Sequence, residues 1–456
     1  MLFTDFNFWY FFLLVTFIIQ LNFKFIKSIN FQNIFLLFAS YLFYSYWDWR
    51  FLSLIIIVSF QTFYFGKLIK LFIKNKKIYL ISSISINLLI LFFFKYFNFF
   101  SLEFANLLNL KNDIVLNKII LPVGISFYIF QSLTYVVDIY FEKINPEKNI
   151  INYFAYVTFF PQLVAGPIER ASSLLPQFNN LHGVNLKSFY LGLKYIIIGL
   201  SFKIVIADNL ASYVDKIFNR YYELSGGELL LGAILFSIQI YCDFCGYSLV
   251  AIGVAKIINF NLSKNFDTPY YANSIKNFWR RWHISLSNFF KDYVYIPLGG
   301  SRSKTTLKRF RNIIITFTLS GIWHGANWTF LIWGFLNGFL LFMQNILKVK
   351  LPNFISWILT LLLISFLWVI FRSPTIYDAF NYVSRIFLDF KLPEISRDLI
   401  IILIYYFSID FLLFKYKEIN QIWFKNLTVQ NYILMSMLII LFLINKSQTN
   451  FIYFEF

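Results

Sequence analysis

Apolar runs of roughly 17 to 25 residues recur along this chain from one end to the other, each long enough to cross the hydrocarbon of a bilayer as a helix. The runs are continuous rather than alternating in polarity, which excludes the strands of a membrane barrel. A composition of 59% hydrophobic and 14% charged residues lies far from that of a soluble globular protein. The chain therefore reads as an all-α polytopic membrane protein, with no soluble domain and no fixed-period repeat. One integral-membrane domain over residues 1–456 is expected, with N-terminal spans (1–118), a core (119–345) and C-terminal spans (346–456).

A formal charge of +18 invites a nucleic-acid reading. The placement of the charge argues against it, because the basic residues gather in short connections at 67–77 and 301–311, as expected for cytoplasmic loops. That assignment puts the amino terminus outside. The opening residues, MLFTDFNFWYFFLL, lack a basic leader and a small-residue cleavage site and read as an uncleaved first span. Further spans are expected at 31–46, 51–65, 78–94, 187–207, 229–258, 356–371, 399–414 and 432–444. Cys242 and Cys245 form a CxxC without a second pair, inside YCDFCGYSLVAIG, and read as ordinary buried thiols. Asp243 between them needs a polar partner.

Other stretches are less regular. In 119–141, Pro122 and Gly124 loosen the first turn, while Gln131, Thr134 and Asp138 share one helical face. The run at 151–165 is short and ends in GPIER, where Gly166-Pro167 is a strong breaker. A re-entrant or interfacial helix is expected there, its non-helical backbone buried in protein or lining a wet cavity. Residues 273–295 read as an amphipathic interfacial helix with Trp279, His283 and Ser287 on one face. Residues 312–343 form a long apolar stretch with His324 well inside it.

The chain has three histidines, and two sit in tryptophan-rich motifs, FWRRWHIS and GIWHGANWTFLIWG. A titratable imidazole in an apolar segment points to function by default. Burial favours the neutral ring, the form a general base needs, so His324 is a candidate base. The alternative is a histidine bonded between helices. His283 could assist, with Arg280 and Arg281 holding an anion, although arginine and tryptophan could equally anchor this segment at the interface. His182, in NNLHGVN, reads as a loop residue. No metal site is expected.

PVGISFYIFQSLTYVVDIY, FPQLVAGPIER, FWRRWHISLSNFFKDYVYIPLGG and SGIWHGANWTFLIWG together resemble the membrane-bound O-acyltransferase family, in its bacterial alginate and peptidoglycan O-acetylation branch. The resemblance runs through nearly the whole chain. It implies a ring of about eleven membrane helices, with re-entrant or interfacial pieces, around a funnel. It also implies His324 as the catalytic histidine, His283 as the second active-site position, and an acyl thioester donor, acetyl-CoA, entering from the cytoplasm. Trp279, Arg280, Arg281 and Trp328 become candidate donor-binding residues. One departure stands out: the family's DFSGYSD is here DFCGYSL at 243–249, which puts the polar network of that helix in doubt. The terminal FIYFEF resembles an aromatic motif whose tyrosine relays the acyl group, here Tyr453; a phenol, with a pKa of about 10, needs a base before it can attack.

The expected function is therefore a multi-pass acetyltransferase of a bacterial inner membrane, passing acetyl from a cytoplasmic thioester to a cell-wall or exported polysaccharide. A periplasmic SGNH-hydrolase-like transferase would complete the transfer, and no nucleic acid or permanently bound cofactor is involved. Alternatives are D-alanyl or lipid acyl transfer on the same fold, or a proton-coupled transporter. The last usually shows paired broken helices in two related halves, and no such duplication is visible.

Overall fold

A computed structural model of the protein describes residues 1–108, 119–164, 166–303, 305–347 and 351–416, together with 436, 437 and 440. Every regular element among them is a helix. Tyr453 and the span expected at 432–444 lie outside the described stretches. Eight candidate membrane spans are present among the described residues, the second of which, Ile29–Leu71, contains two helices. The chain divides into two compact units, Met1–Leu193 with Ala251–Ser263, and Lys194–Val250 with Lys264–Phe456.

The first unit begins with α1 (Phe6–Leu21), α2 (Ile29–Asp48), α3 (Leu52–Leu71) and α4 (Lys76–Leu107). Next come α5 (Ile125–Tyr140), α6 (Ile150–Thr158), α7 (Ala171–Leu174) and the start of α8 (Leu186–Leu200). With 16 residues, α5 is short for a crossing and is buried on almost every side. Its polar groups are bonded: Gln131 donates to the Tyr156 carbonyl at 2.8 Å, the Thr134 hydroxyl to the Gln131 carbonyl at 2.7 Å, and Asp138 pairs with Lys143 at 3.1 Å. As expected for a piece that cannot cross, α6 has only nine residues, and seven of them are buried. The irregular GPIER backbone that follows is buried in protein, where the Glu169 carboxylate accepts from the Ser263 backbone N–H and, at 2.8 Å, from its hydroxyl.

The second unit holds the remainder: α9 (Asp208–Asn219), α10 (Gly226–Ile257) up to Val250, and two short helices, α11 (Ile275–Arg281) and α12 (Ile284–Phe290). It continues with α13 (Thr306–His324), α14 (Trp328–Leu347), α15 (Asn353–Arg372), α16 (Ile376–Leu388) and α17 (Arg397–Tyr416). The most enclosed of the spans is α10, 83% of its apolar window being buried. Its two cysteines are free and buried, as expected. Asp243 finds its partner in Lys203, at 2.7 Å, and Lys203 also meets Asp208 at 2.8 Å. Lys203 projects from a π-helical segment, Ser201–Ala207, that joins α8 to α9. Such bulges shift side chains out of helical register and often mark special positions.

The apolar stretch at 312–343 is not one helix. It breaks at Gly325 and folds back as a hairpin, and the small residues let the two arms meet. A β-carbon added at Gly321 would lie 2.2 Å from the Phe330 carbonyl oxygen, and one at Gly334 would lie 2.4 Å from that of Phe317. Gly321 and Gly334 thus let α13 and α14 approach closely.

Removing the cation from a buried ion group leaves carboxylates uncompensated, at a cost of about 3–5 kcal/mol. Lys203→Met is accordingly expected to lower stability by that amount in detergent-solubilised protein, measured as the shift in its thermal midpoint. A midpoint within error of the parent would show that the triad contributes nothing.

Candidate active site

Both tryptophan-flanked histidines sit at breaks in helical backbone. After α11 the chain turns extended at Trp282 (φ −100°, ψ 129°) and left-handed at His283 (φ 40°, ψ 57°). A left-handed residue other than glycine costs roughly 1–2 kcal/mol, so something must hold it. The loop at 265–268 does so from outside. The Asp267 N–H donates to the Arg281 carbonyl at 2.9 Å, and the Ile284 N–H donates to the Asn265 carbonyl at 2.8 Å. These bonds bracket Trp282 and His283 and replace those a continuous helix would make. The single face expected for Trp279, His283 and Ser287 is therefore a misreading, because the helix stops between them.

The Asn265 side chain, buried like His283, completes the arrangement. Its Oδ1 lies 3.1 Å from His283 Nδ1 and accepts from the backbone N–H and the hydroxyl of Ser285 at 3.2 and 2.9 Å. The amide nitrogen donates to the Ser248 hydroxyl at 3.2 Å. Around the imidazole, Phe244 stands edge-on with centroids 4.6 Å apart, and Trp323 lies 6.0 Å away. In this apolar setting burial pushes the His283 pKa down to about 3, so the ring is neutral near pH 7.

His324 closes α13 one residue after Trp323. Three rings stand nearly perpendicular to it: Trp323, Trp333 and Phe371, with centroids 5.0, 5.1 and 5.3 Å away. Edge-to-face contacts of this kind fix ring orientation as well as burying area. Each of the two histidines thus packs against Trp323.

One cavity of about 710 Å³ is lined by both His283 and His324, with Trp279 and Ser287 beside them. Lys276, Arg280, Lys291 and Arg309 also line it, and all four are exposed. Two imidazoles in an aromatic wall beside four cations can take up an anionic ligand and move a proton at its reactive end. Among the described residues no group of three or more His, Cys, Asp or Glu is placed to hold a metal ion.

Two of the sequence-based assignments need correction. Arg281 does not line the cavity: its guanidinium bonds Asn277 Oδ1 at 3.2 Å and the carbonyls of Asp267 and Thr268 at 3.4 Å, fastening the same loop that holds His283. Trp328 opens α14, half exposed, and lies off the cavity because the chain has already turned back at Gly325. His182 is a buried structural tie whose ring nitrogens meet the carbonyls of Asn259 and Gln177 at 3.0 and 2.7 Å. Asn265 was not anticipated. It lies 18 residues before His283, in SKNFDTPY, and a single asparagine in a loop has no periodicity to betray it.

Comparison with known proteins agrees with the geometry. A family model described as MBOAT, membrane-bound O-acyltransferase family, matches residues 41–371. The chain is 36% identical over 389 residues to a probable alginate O-acetylase of Azotobacter vinelandii, covering 83% of this chain and 77% of that protein. It is 35% identical over 397 residues to a peptidoglycan O-acetyltransferase of Helicobacter pylori, covering 78% and 74%. A teichoic acid D-alanyltransferase of Bacillus subtilis is 26% identical over 234 residues, covering 49% and 58%.

The depressed basicity of His283 has a measurable consequence. The unfolded chain takes up a proton on this residue near pH 6.5 and the folded one only near pH 3, so stability falls as pH drops through that window. His283→Gln, which cannot titrate, is expected to flatten that part of the thermal-midpoint profile. An unchanged slope between pH 6.5 and 4 would show that His283 is not held neutral by the fold.

Proposed function

Taking as premise that the chain belongs to the membrane-bound O-acyltransferase family, we propose that it moves an acetyl group from a cytoplasmic thioester across the inner membrane for O-acetylation of a cell-wall or exported polysaccharide. That it is a multi-pass O-acyltransferase follows from the family and its relatives; donor, direction and acceptor are the proposal. The observation that carries it is the shared cavity, in which His283 and His324 lie beside four exposed cations.

In this scheme acetyl-CoA docks with its phosphates on Arg280 and Arg309, where guanidinium groups bind phosphate oxygens well. The thioester reaches the aromatic end. His324 takes the proton of an acceptor hydroxyl as its oxygen attacks the thioester carbonyl. The carbon–sulfur bond then breaks, and the departing thiolate recovers the proton. His283, neutral and fixed, supports the reacting groups by hydrogen bonding. Such a division keeps a bulky, charged donor on one side and passes only a small acyl group onward. Tyr453, beyond the described residues, is a candidate acceptor that would hand acetyl to an extracytoplasmic, SGNH-hydrolase-like partner. Relatives at or above 35% identity over most of the chain are named for alginate and peptidoglycan O-acetylation, which favours acetyl over D-alanyl as the cargo.

In proteoliposomes supplied with labelled acetyl-CoA, His324→Ala is expected to lower acetyl transfer by at least about 100-fold, the usual range for a lost general base. Activity close to the parent would dispose of that role. Arg280→Gln with Arg309→Gln is expected to raise the KM for acetyl-CoA while leaving kcat in place, and an unchanged KM would move the phosphates elsewhere. Intact-mass analysis after donor incubation is expected to show acetyl on the parent chain and none on Tyr453→Phe.

A further inference from the structure

We propose that Asn265 is a positioning residue of the acyl-transfer site, fixing His283 in the tautomer protonated on Nδ1 and holding its ring against the cavity. The inference rests on the reading above that His283 belongs to that site.

The hydrogen bonds settle the assignment. A backbone N–H can only donate, so the Asn265 atom 3.2 Å from the Ser285 nitrogen is the amide oxygen. The same oxygen lies 3.1 Å from His283 Nδ1. Two acceptors cannot bond each other, so Nδ1 carries the proton and Nε2 the lone pair. The Ser285 hydroxyl adds a third donor at 2.9 Å, and Ser248 anchors the amide nitrogen at 3.2 Å. The carboxamide is therefore fixed from both ends before it meets the imidazole. The backbone of Asn265 acts on the same point, accepting from the Ile284 N–H at 2.8 Å, one residue beyond the left-handed His283. Side chain and main chain of one residue thus determine both the tautomer and the backbone geometry of another, 18 positions away.

The choice of an amide over a carboxylate has a chemical meaning. A carboxylate at this position would accept the same three donors but would also stabilise an imidazolium. The amide directs the proton to Nδ1 and leaves the ring neutral. The charged side chains on the same loop, Lys264 and Asp267, pair with each other, and Arg281 is engaged by loop carbonyls and Asn277. The remaining charges on this segment, Lys276 and Arg280, line the cavity, as do Lys291 and Arg309 from the elements that follow.

The test compares Asn265→Leu, Asn265→Asp, His283→Ala and the Asn265→Leu/His283→Ala double variant in the proteoliposome assay across pH 5 to 9, with thermal midpoints recorded for each. Asn265→Leu is expected to lower kcat by about 100-fold or more, in the range that follows loss of tautomer control in a hydrogen-bonded histidine, without raising the donor KM. Asn265→Asp is expected to retain activity near neutral pH. It should also gain an acid limb about one pH unit or more above that of the parent, because the carboxylate raises the pKa of His283. The double variant is expected to be no worse than His283→Ala. A cap that merely stabilised α12 would leave the pH profile of Asn265→Asp unchanged, and that result overturns the proposal. So does parent-like kcat in Asn265→Leu, or additive losses in the double variant. If Asn265→Leu fails to fold, the pH profile of Asn265→Asp decides alone. Parent-like activity in His283→Ala sinks the site reading itself, whereas inactive His283→Ala beside active Asn265→Leu sinks only the role of Asn265.

Discussion

Backbone that leaves helical geometry inside an apolar helical body must find its hydrogen bonds within the protein. The site depends on how that requirement is met at His283. The loop at 265–268 supplies the missing donors and acceptors, so the break between α11 and α12 becomes a fixed turn rather than a frayed end. Without that loop, the FWRRWH segment could continue as the amphipathic helix its sequence suggests. With it, Arg281 turns towards the loop carbonyls and Arg280 towards the cavity. One backbone decision thus separates two adjacent arginines into a structural fastener and a cavity-lining charge.

The second break obeys a different rule. At Gly325 the chain turns because the two arms of a hairpin have complementary surfaces, glycine against backbone carbonyl, at Gly321 and Gly334. The close approach gathers Trp323, Trp333 and Phe371 edge-on around His324. Packed aromatic rings have few alternative rotamers, so they hold the imidazole they surround. A polar clamp and an aromatic clamp thereby define the two sides of one cavity.

Much of this was legible in the chain. The apolar runs gave the class, and α1 forms in the opening run read as a first span. The two motifs pointed to His283, His324, Trp279 and Arg280, because tryptophan, arginine and histidine crowd together there against a background of phenylalanine and isoleucine. What was not legible depended on contacts distant in sequence. Helical periodicity placed His283 on a continuous face, yet two hydrogen bonds from a loop overrode it. The resemblance made Trp328 a donor-binding candidate, yet the hairpin carries it off the cavity. The departure of DFCGYSL from the family pattern left Asp243 in doubt, and its partner Lys203 lay on another segment, at a π-bulge no periodicity marks. Asn265 is the extreme case, its importance residing wholly in what the fold brings to it.

Burial keeps the His283 imidazole neutral, so the positive charge of the cavity comes from other residues. Lys276, Arg280, Lys291 and Arg309 already supply positive charge to the lining. A protonated His283 would add charge where burial makes charge costly. An aspartate at position 265 would favour a protonated His283 at lower pH and cancel part of the field that attracts an anionic donor. An amide does neither. It orients the ring and leaves the cations uncompensated for the ligand, so the electrostatics of donor binding and the protonation state needed for transfer are set by separate residues.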